Sequence, residues 1–232
     1  MTDSALRELA DDPSSRKRFF KMMGGAGAVS AFGIVLAACG DDKKAADKKD
    51  DAVKATTSAA DDNKSDLHIL NYALTLEFLE ADFYKKVIAS GIVKDKKVAS
   101  LATQFGDTEQ QHVDALISTI KKLGGKPVSA PKSNFGPTLD KGLMAVLETA
   151  ATVENLGAAA YLGAAGSIKS KDVLAAALSI HSVEARHAAA LNSLVGRGFG
   201  GKGGLEGSLP DGAFAKGMSE ADVLAAVKPF LA

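Results

Sequence analysis

Residues 109–112 read Glu109-Gln110-Gln111-His112, and seventy-five positions later residues 184–187 read Glu184-Ala185-Arg186-His187. Three residues along an α-helix turn through about 300°, so the two polar side chains of each Glu-x-x-His share one face. That face is the apolar one. Around the first pair the stripe runs Val98, Leu101, Ala102, Phe105, Glu109, His112, Leu116, Ile120 and Leu123. Around the second it runs Leu174, Ala177, Leu178, His181, Glu184, His187, Leu191 and Leu194. Charged groups at core positions require a compensating partner.

Two more helices flank these. The first is expected over 67–90, with Leu70, Ala73, Leu74, Glu77, Phe78, Ala81, Tyr84, Val87 and Ile88 on its inner side and Gly91 as its stop. The helix carrying Glu109 spans 95–123 and is closed by Gly124, Gly125 and Pro127. Three prolines and two glycines between Gly125 and Pro137 then predict a long crossover. A third helix is expected over 139–165, with Leu143, Leu147, Ala150, Glu154, Ala158, Tyr161 and Ala165 facing inward. The fourth starts after Ser170, an N-cap residue with Asp172 in the following turn, and runs to Val195 before Gly196. The pattern is hairpin, crossover, hairpin, and the halves match. Glu77 is followed seven residues later by Tyr84, as Glu154 is by Tyr161, which sets each tyrosine on its glutamate's face about 10 Å further along.

As neighbours in an all-α antiparallel four-helix bundle, these segments aim four glutamates and two histidines at one level of the interior. Burying an unpaired ion costs several kcal/mol, and a whole domain's margin is only about 5 to 15 kcal/mol. Cations must therefore be present. Two divalent ions balance four carboxylates, and an oxygen-rich donor set suits iron or manganese better than a closed zinc site.

One glutamate from each of two helices and a Glu-x-x-His from each of two others resembles the ferritin-like di-iron carboxylate arrangement. The chain is similar in particular to the exported ferritin-like domain proteins of bacteria, most clearly in Leu-Asn-Tyr-Ala-Leu-Thr-Leu-Glu-Phe-Leu-Glu-Ala at residues 70–81, and the resemblance covers residues 67–196. It implies a ferritin-like bundle with a long B–C crossover, and two Fe or two Mn ions held by Glu77, Glu109, His112, Glu154, Glu184 and His187. It further implies dioxygen or peroxide chemistry at the pair.

Several neighbours compete for these roles. Glu80 lies three residues from Glu77 on an adjacent face, but the second half has Gly157 at the matching position, which favours Glu77. Glu148 is about 240° round the helix from Glu154. His181, one turn before Glu184, reads as a satisfied core histidine before an extra ligand, and His68 as a solvated one. Tyr84 and Tyr161 are candidate catalytic groups that hydrogen-bond ligand carboxylates or pass electrons, with plain space-filling as an equal alternative.

The rest of the 232-residue chain bounds location and partners. Lys+Arg and Asp+Glu are equal at 28 each, so no basic stripe for nucleic acid is expected. Ser15-Arg16-Lys17-Arg18-Phe19-Phe20-Lys21 precedes a mildly apolar run ending Leu36-Ala37-Ala38-Cys39, which reads as an export signal over 1–38 with a lipobox. The basic motif resembles the twin-arginine signal, with Lys17 at the second arginine position; a general secretory signal is the alternative. Cys39, the single cysteine, is then the lipidated first residue of a membrane-anchored, extracytoplasmic protein. Residues 39–66, rich in Asp, Lys and Ala, are expected to form a disordered tether. Residues 197–232 are expected to be a glycine-rich segment followed by a helix over 219–231, capped by Ser219 and laid across one end of the bundle.

Three functions fit this reading: a di-metal oxidoreductase such as a ferroxidase or peroxide scavenger, a metal-binding or storage protein without turnover, and a stress-associated bundle with a vestigial site. With no thiol in the mature chain, electrons come from substrate iron, an external donor, or a manganese pair cycling on peroxide. A homodimer is compatible with lipid anchoring, whereas a large storage cage is not.

Overall fold

A computed structural model of the chain describes residues 49–201 and 205–232. The chain divides into two compact units, residues 1–61 and 62–232. Of the first, only 49–61 are described, and they are helical. The export motif, the lipobox and Cys39 lie outside the described residues.

Helix α1 spans Lys49–Ser90, beginning eighteen residues ahead of the expected start at Leu67. Residues 49–66, read as disordered tether, are thus helical. They lack large apolar side chains, but they also contain no glycine or proline, and alanine and lysine are good helix formers. The later part of this stretch also has tertiary partners. Asn63 donates to the Leu123 carbonyl at 3.2 Å, and the buried Asp66 carboxylate accepts from the backbone N–H groups of Lys169 and Ser170 at 2.7 and 2.8 Å. Asp66→Ala is expected to lower stability by about 1 to 3 kcal/mol by leaving both N–H groups unpaired, which a denaturant midpoint measures.

Helix α2 runs Lys96–Lys122 and is capped by Asp95, whose side chain accepts from the N–H groups of Lys97 and Val98. The connection holds a short α3, Gly136–Leu139, and then breaks, so that α4 runs Leu143–Ala165 rather than starting at 139. Gly142 has φ +95°, a left-handed conformation no helix continues through. Helix α5 spans Lys171–Leu194, with Ser170 accepting from the Val173 N–H as the expected N-cap. No strand occurs among the described residues, and the architecture is an all-α bundle, as the sequence predicts.

Contacts between the helices fix their directions. Tyr84 of α1 reaches Glu154 of α4 while Tyr161 reaches back to Glu77, so α1 and α4 are antiparallel. His112 meets Glu77 near the middle of α1 and Gly106 lies against Tyr84, which makes α2 antiparallel to α1 as well. Helices α2 and α4 therefore run the same way, and the connection between them must travel the length of the bundle. Phe135 anchors it, 1 % exposed and edge-on to Phe83 at 5.0 Å.

Two apolar clusters fill the bundle on either side of its middle. One gathers Phe83, Val87, Phe105, Val146 and Leu191; the other Leu70, Leu74, Leu116, Ile120 and Ile180. The expected stripes hold except at their edges. Ile88, Leu143, Leu178 and Leu194 are exposed, and on α5 the inner face is completed by Val173, Ile180 and Ala188 instead. A helix turning 100° per residue leaves such borderline positions undecided until a neighbour covers one side.

Helix α6, Glu220–Val227, is capped by Ser219, and a 3₁₀ turn follows at Lys228–Phe230. It does not cross the end of the bundle. Val223 and Val227 pack on Tyr72, Leu76 and Leu79 of α1 and Leu156 and Ala160 of α4, along the side of that helix pair. The approach needs two glycines: a Cβ on Gly163 would stand 1.9 Å from the Met218 carbonyl oxygen, and one on Gly217 would stand 2.4 Å from the Gly163 nitrogen. Gly163→Ala is expected to cost about 1 to 3 kcal/mol through overpacking and to raise amide exchange across 218–230 while that of α2 stays unchanged.

Candidate metal centre

The four long helices bring Glu77, Glu109, His112, Glu154, Glu184 and His187 to one level between the two apolar clusters. The four glutamates are wholly buried and each histidine is 7 % exposed. His112 Nδ1 lies 3.2 Å from Glu77 Oε2, 2.9 Å from Glu109 Oε2 and 3.1 Å from Glu184 Oε1. His187 Nδ1 lies 2.9 Å from Glu109 Oε1 and 3.2 Å from Glu154 Oε2. Phe105 stacks on the His187 ring at 3.8 Å between centroids, which holds that imidazole in place.

Close as these atoms are, many do not hydrogen-bond. Glu109 Oε1, Glu154 Oε2, both oxygens of Glu184 and His187 Nδ1 are buried without a hydrogen-bond partner, because the short contacts among them are misaligned. Buried polar atoms are nearly always paired, and this many orphans in one place point at a shared centre rather than at each other. The donors fall into two overlapping groups, Glu77, Glu109, His112 and Glu184, and Glu109, Glu154, Glu184 and His187, with the ligand atoms of each group within 4.8 Å of one another. Either group can hold a metal ion. Glu109 and Glu184 belong to both groups.

The tyrosines serve the opposite helix. The Tyr161 hydroxyl donates to Glu77 Oε1 at 2.6 Å, and the Tyr84 hydroxyl donates to Glu154 Oε1. Each thereby turns the other oxygen of its carboxylate toward a histidine. Both tyrosines thus hydrogen-bond carboxylates of the cluster and do more than fill space.

Burial raises the carboxyls of Glu77, Glu154 and Glu184, the first to about 7 even though His112 and Tyr161 pull it down. Glu109 is the exception: burial pushes it up, but its hydrogen bond with His112 and the closeness of the His187 imidazole outweigh that and bring it to about 2. Burial depresses the histidines, yet the surrounding carboxylates win, raising His112 strongly and His187 to about 9. Without metal, protons and imidazolium charge must stand in for the cations.

Of the competing residues, Glu148 is exposed, and His68 is an exposed partner of Glu220 at 2.9 Å. His181 donates from Nδ1 to the Ala158 carbonyl at 2.9 Å and does not join the donor set. Glu80 is different. It is 3 % exposed, at the level of the site, opposite Gly157 of α4. That glycine is what makes room for it: Glu80 Oε1 and Glu184 Oε2 each lie 2.8 Å from where a Cβ on residue 157 would stand.

None of the curated proteins compared with the chain matches it. The family model of the ferritin-like domain does, over residues 65–197, a stretch that contains all six donors and more than half of the chain. Agreement of that match with a bundle built round two Glu-x-x-His helices leaves one assignment, and the chain belongs to the ferritin-like domain family.

Proposed function

We propose that the bundle holds a pair of iron or manganese ions and acts as an oxidoreductase on dioxygen or peroxide, as a ferroxidase or a peroxide scavenger. The observation that carries this reading is the overlap of the two donor groups at Glu109 and Glu184. Six donors sharing two bridging carboxylates suit two ions held close together, whereas a single structural ion needs only four.

When bound, such a pair supplies two electrons to a small oxidant. The chain's own groups set the conditions. Glu77 and His112 serve one ion and Glu154 and His187 the other, while Tyr161 and Tyr84 hold the terminal glutamates in orientation. The glutamates are closed to water, and only the histidines on α2 and α5 have any exposure, so a small oxidant approaches from that side. Helix α6 covers the α1–α4 side.

Anaerobically purified protein from metal-replete cells is expected to contain two equivalents of iron plus manganese and to consume peroxide or dioxygen in proportion to them. Well under one equivalent overturns the metal pair. Two equivalents with no consumption leave the second reading, metal held without turnover, which is favoured by one fact: Cys39 is the only cysteine, so the chain offers no thiolate-bound iron to re-reduce the pair. Under the first reading the electrons come from an external donor or substrate iron, or a manganese pair cycles on peroxide alone.

No helix among the described residues is long and apolar enough to cross a membrane. Attachment is proposed to run through acylated Cys39, with the domain on the extracytoplasmic side, as a monomer or homodimer. Cys39→Ser is expected to move the protein from the detergent phase to the aqueous phase; unchanged partition overturns the anchor.

A further inference from the structure

We propose that a file of packed aromatic rings carries electrons to the metal pair from a surface groove that takes a small organic anion; this rests on the di-metal reading above. The centre itself is closed to such a donor. All four glutamates are wholly buried and each histidine is 7 % exposed, so an oxidant of two oxygen atoms can reach the pair but an organic molecule cannot. Its electrons must cross the protein instead.

A continuous route runs from one donor residue to the surface. The His187 imidazole stacks on Phe105 of α2 at 3.8 Å between centroids, Phe105 meets Tyr84 of α1 at 6.0 Å, and Tyr84 meets Phe83 at 5.4 Å. Phe83 then meets Phe135 of the crossover at 5.0 Å, and Phe135 stacks on Phe230 at 5.5 Å. Each spacing is that of rings in contact. Electron tunnelling weakens steeply with the width of a gap, so contact at every step favours this path over the aliphatic core around it. Filling a core asks for a compact cluster, whereas these rings form a single file that joins α5, α2, α1, the crossover and the last turn. The other half of the bundle has Ile180 where Phe105 stands, four residues before its glutamate, so the file serves His187 and not His112.

The outer end of the file meets a binding surface. The Lys86 ammonium lies 5.6 Å from the centre of the Phe135 ring, and Lys86 lines a groove of about 540 Å³ together with Lys85, Lys132, Phe78 and Gln110. Asp82, the one acidic side chain in the wall, is already engaged: Lys86 pairs with it at 2.7 Å and the Ser133 hydroxyl donates to it. Lys85 and Lys132 have no acidic partner among the described residues. A small organic anion fits these walls, with its charge on the lysines and its carbon skeleton against Phe78. Ascorbate, an enediol anion, has this chemistry. On becoming dehydroascorbate it gives up two electrons and one proton, and the two electrons return both ferric ions to the ferrous state.

The test has two arms, both on the full-length chain. In the first, metal-free protein is dialysed against ascorbate under argon. Wild type is expected to hold one ascorbate, and Lys85→Gln with Lys132→Gln to weaken binding by about tenfold or more. In the second, iron-loaded protein is oxidised with one hydrogen peroxide per pair and then mixed with ascorbate. Phe83→Leu and Phe135→Leu are expected to slow re-reduction at least severalfold, while iron content, oxidation by peroxide and ascorbate binding stay at their wild-type values. A purely structural role for these rings would lower iron content and stability without singling out the reductive half. No ascorbate bound by wild type, or re-reduction unchanged in both phenylalanine variants, overturns the proposal and leaves the metal pair standing. Failure of wild type to bind two irons overturns it together with the di-metal reading. Should neither phenylalanine variant fold, the exposed lysines decide, since re-reduction at low ascorbate that is unchanged in their double variant overturns the groove.

Discussion

Glu109→Gln combined with Glu184→Gln is expected to empty the protein of both metal ions. These two carboxylates belong to both donor groups, so their loss leaves each ion with one terminal glutamate and one histidine. Substitution of groups that merely orient ligands weakens metal binding by about 10- to 100-fold, and loss of two direct, charged donors exceeds that for each ion. The single variants Glu77→Gln and Glu154→Gln touch one group each and are expected to weaken one equivalent while sparing the other. Glutamine preserves volume, so no cavity confuses the outcome. Metal analysis after dialysis measures the effect, and two equivalents retained by the double variant would place the metal elsewhere or nowhere.

Metal removal carries the second large effect, and pH sets its size. A ligand bound only by the folded state adds about 4 kcal/mol at a thousandfold excess over its dissociation constant. Two ions then add about 8 kcal/mol, which in a domain of this size is about 15 to 30 °C in Tm. The metal-free protein responds to pH in the opposite sense. Glu77, Glu154 and Glu184 have raised carboxyls, so the folded state holds protons that the unfolded state has released, and stability falls as pH rises above 4.5, for Glu77 through about 7. His187 adds to that fall, since its contribution is complete below 6.5 and is lost as pH passes about 9. Only Glu109 acts the other way, its contribution being present above 4.5 and lost toward 2. Metal binding needs the deprotonated donors and grows with pH. The gap in Tm between metal-loaded and chelator-treated protein is therefore expected to widen from about pH 5 to about pH 9. A gap that is constant or narrows would show that these carboxylates do not hold the metal.

Much of this centre is legible in the linear sequence because its donors obey helical arithmetic. Glu109 with His112 and Glu184 with His187 share a face by spacing alone, and Glu77 and Glu154 are marked by tyrosines at equal offsets. Those rules concern one helix at a time. Which carboxylate each tyrosine serves is a property of two helices, and Tyr84 and Tyr161 both reach across to the partner rather than along their own. The preference for Glu77 over Glu80 holds, since both donor groups leave Glu80 out, but the burial of Glu80 is decided between helices. Within a helix Gly157 looks like a missing counterpart, whereas between antiparallel helices it is the space a carboxylate fills.

The sequence by itself determined the all-α class, the four long helices, the caps at Ser170 and Ser219, and the shared inner face of each Glu-x-x-His pair, since each follows from backbone geometry and the cost of burying charge within a few turns. Tertiary structure alone decided that the third helix breaks at Gly142, that α6 lies along the α1–α4 side, and that Glu80 joins the interior. Each of these depends on which surfaces meet, and long-range burial can override local preference because docking two helices changes the surroundings of every side chain between them.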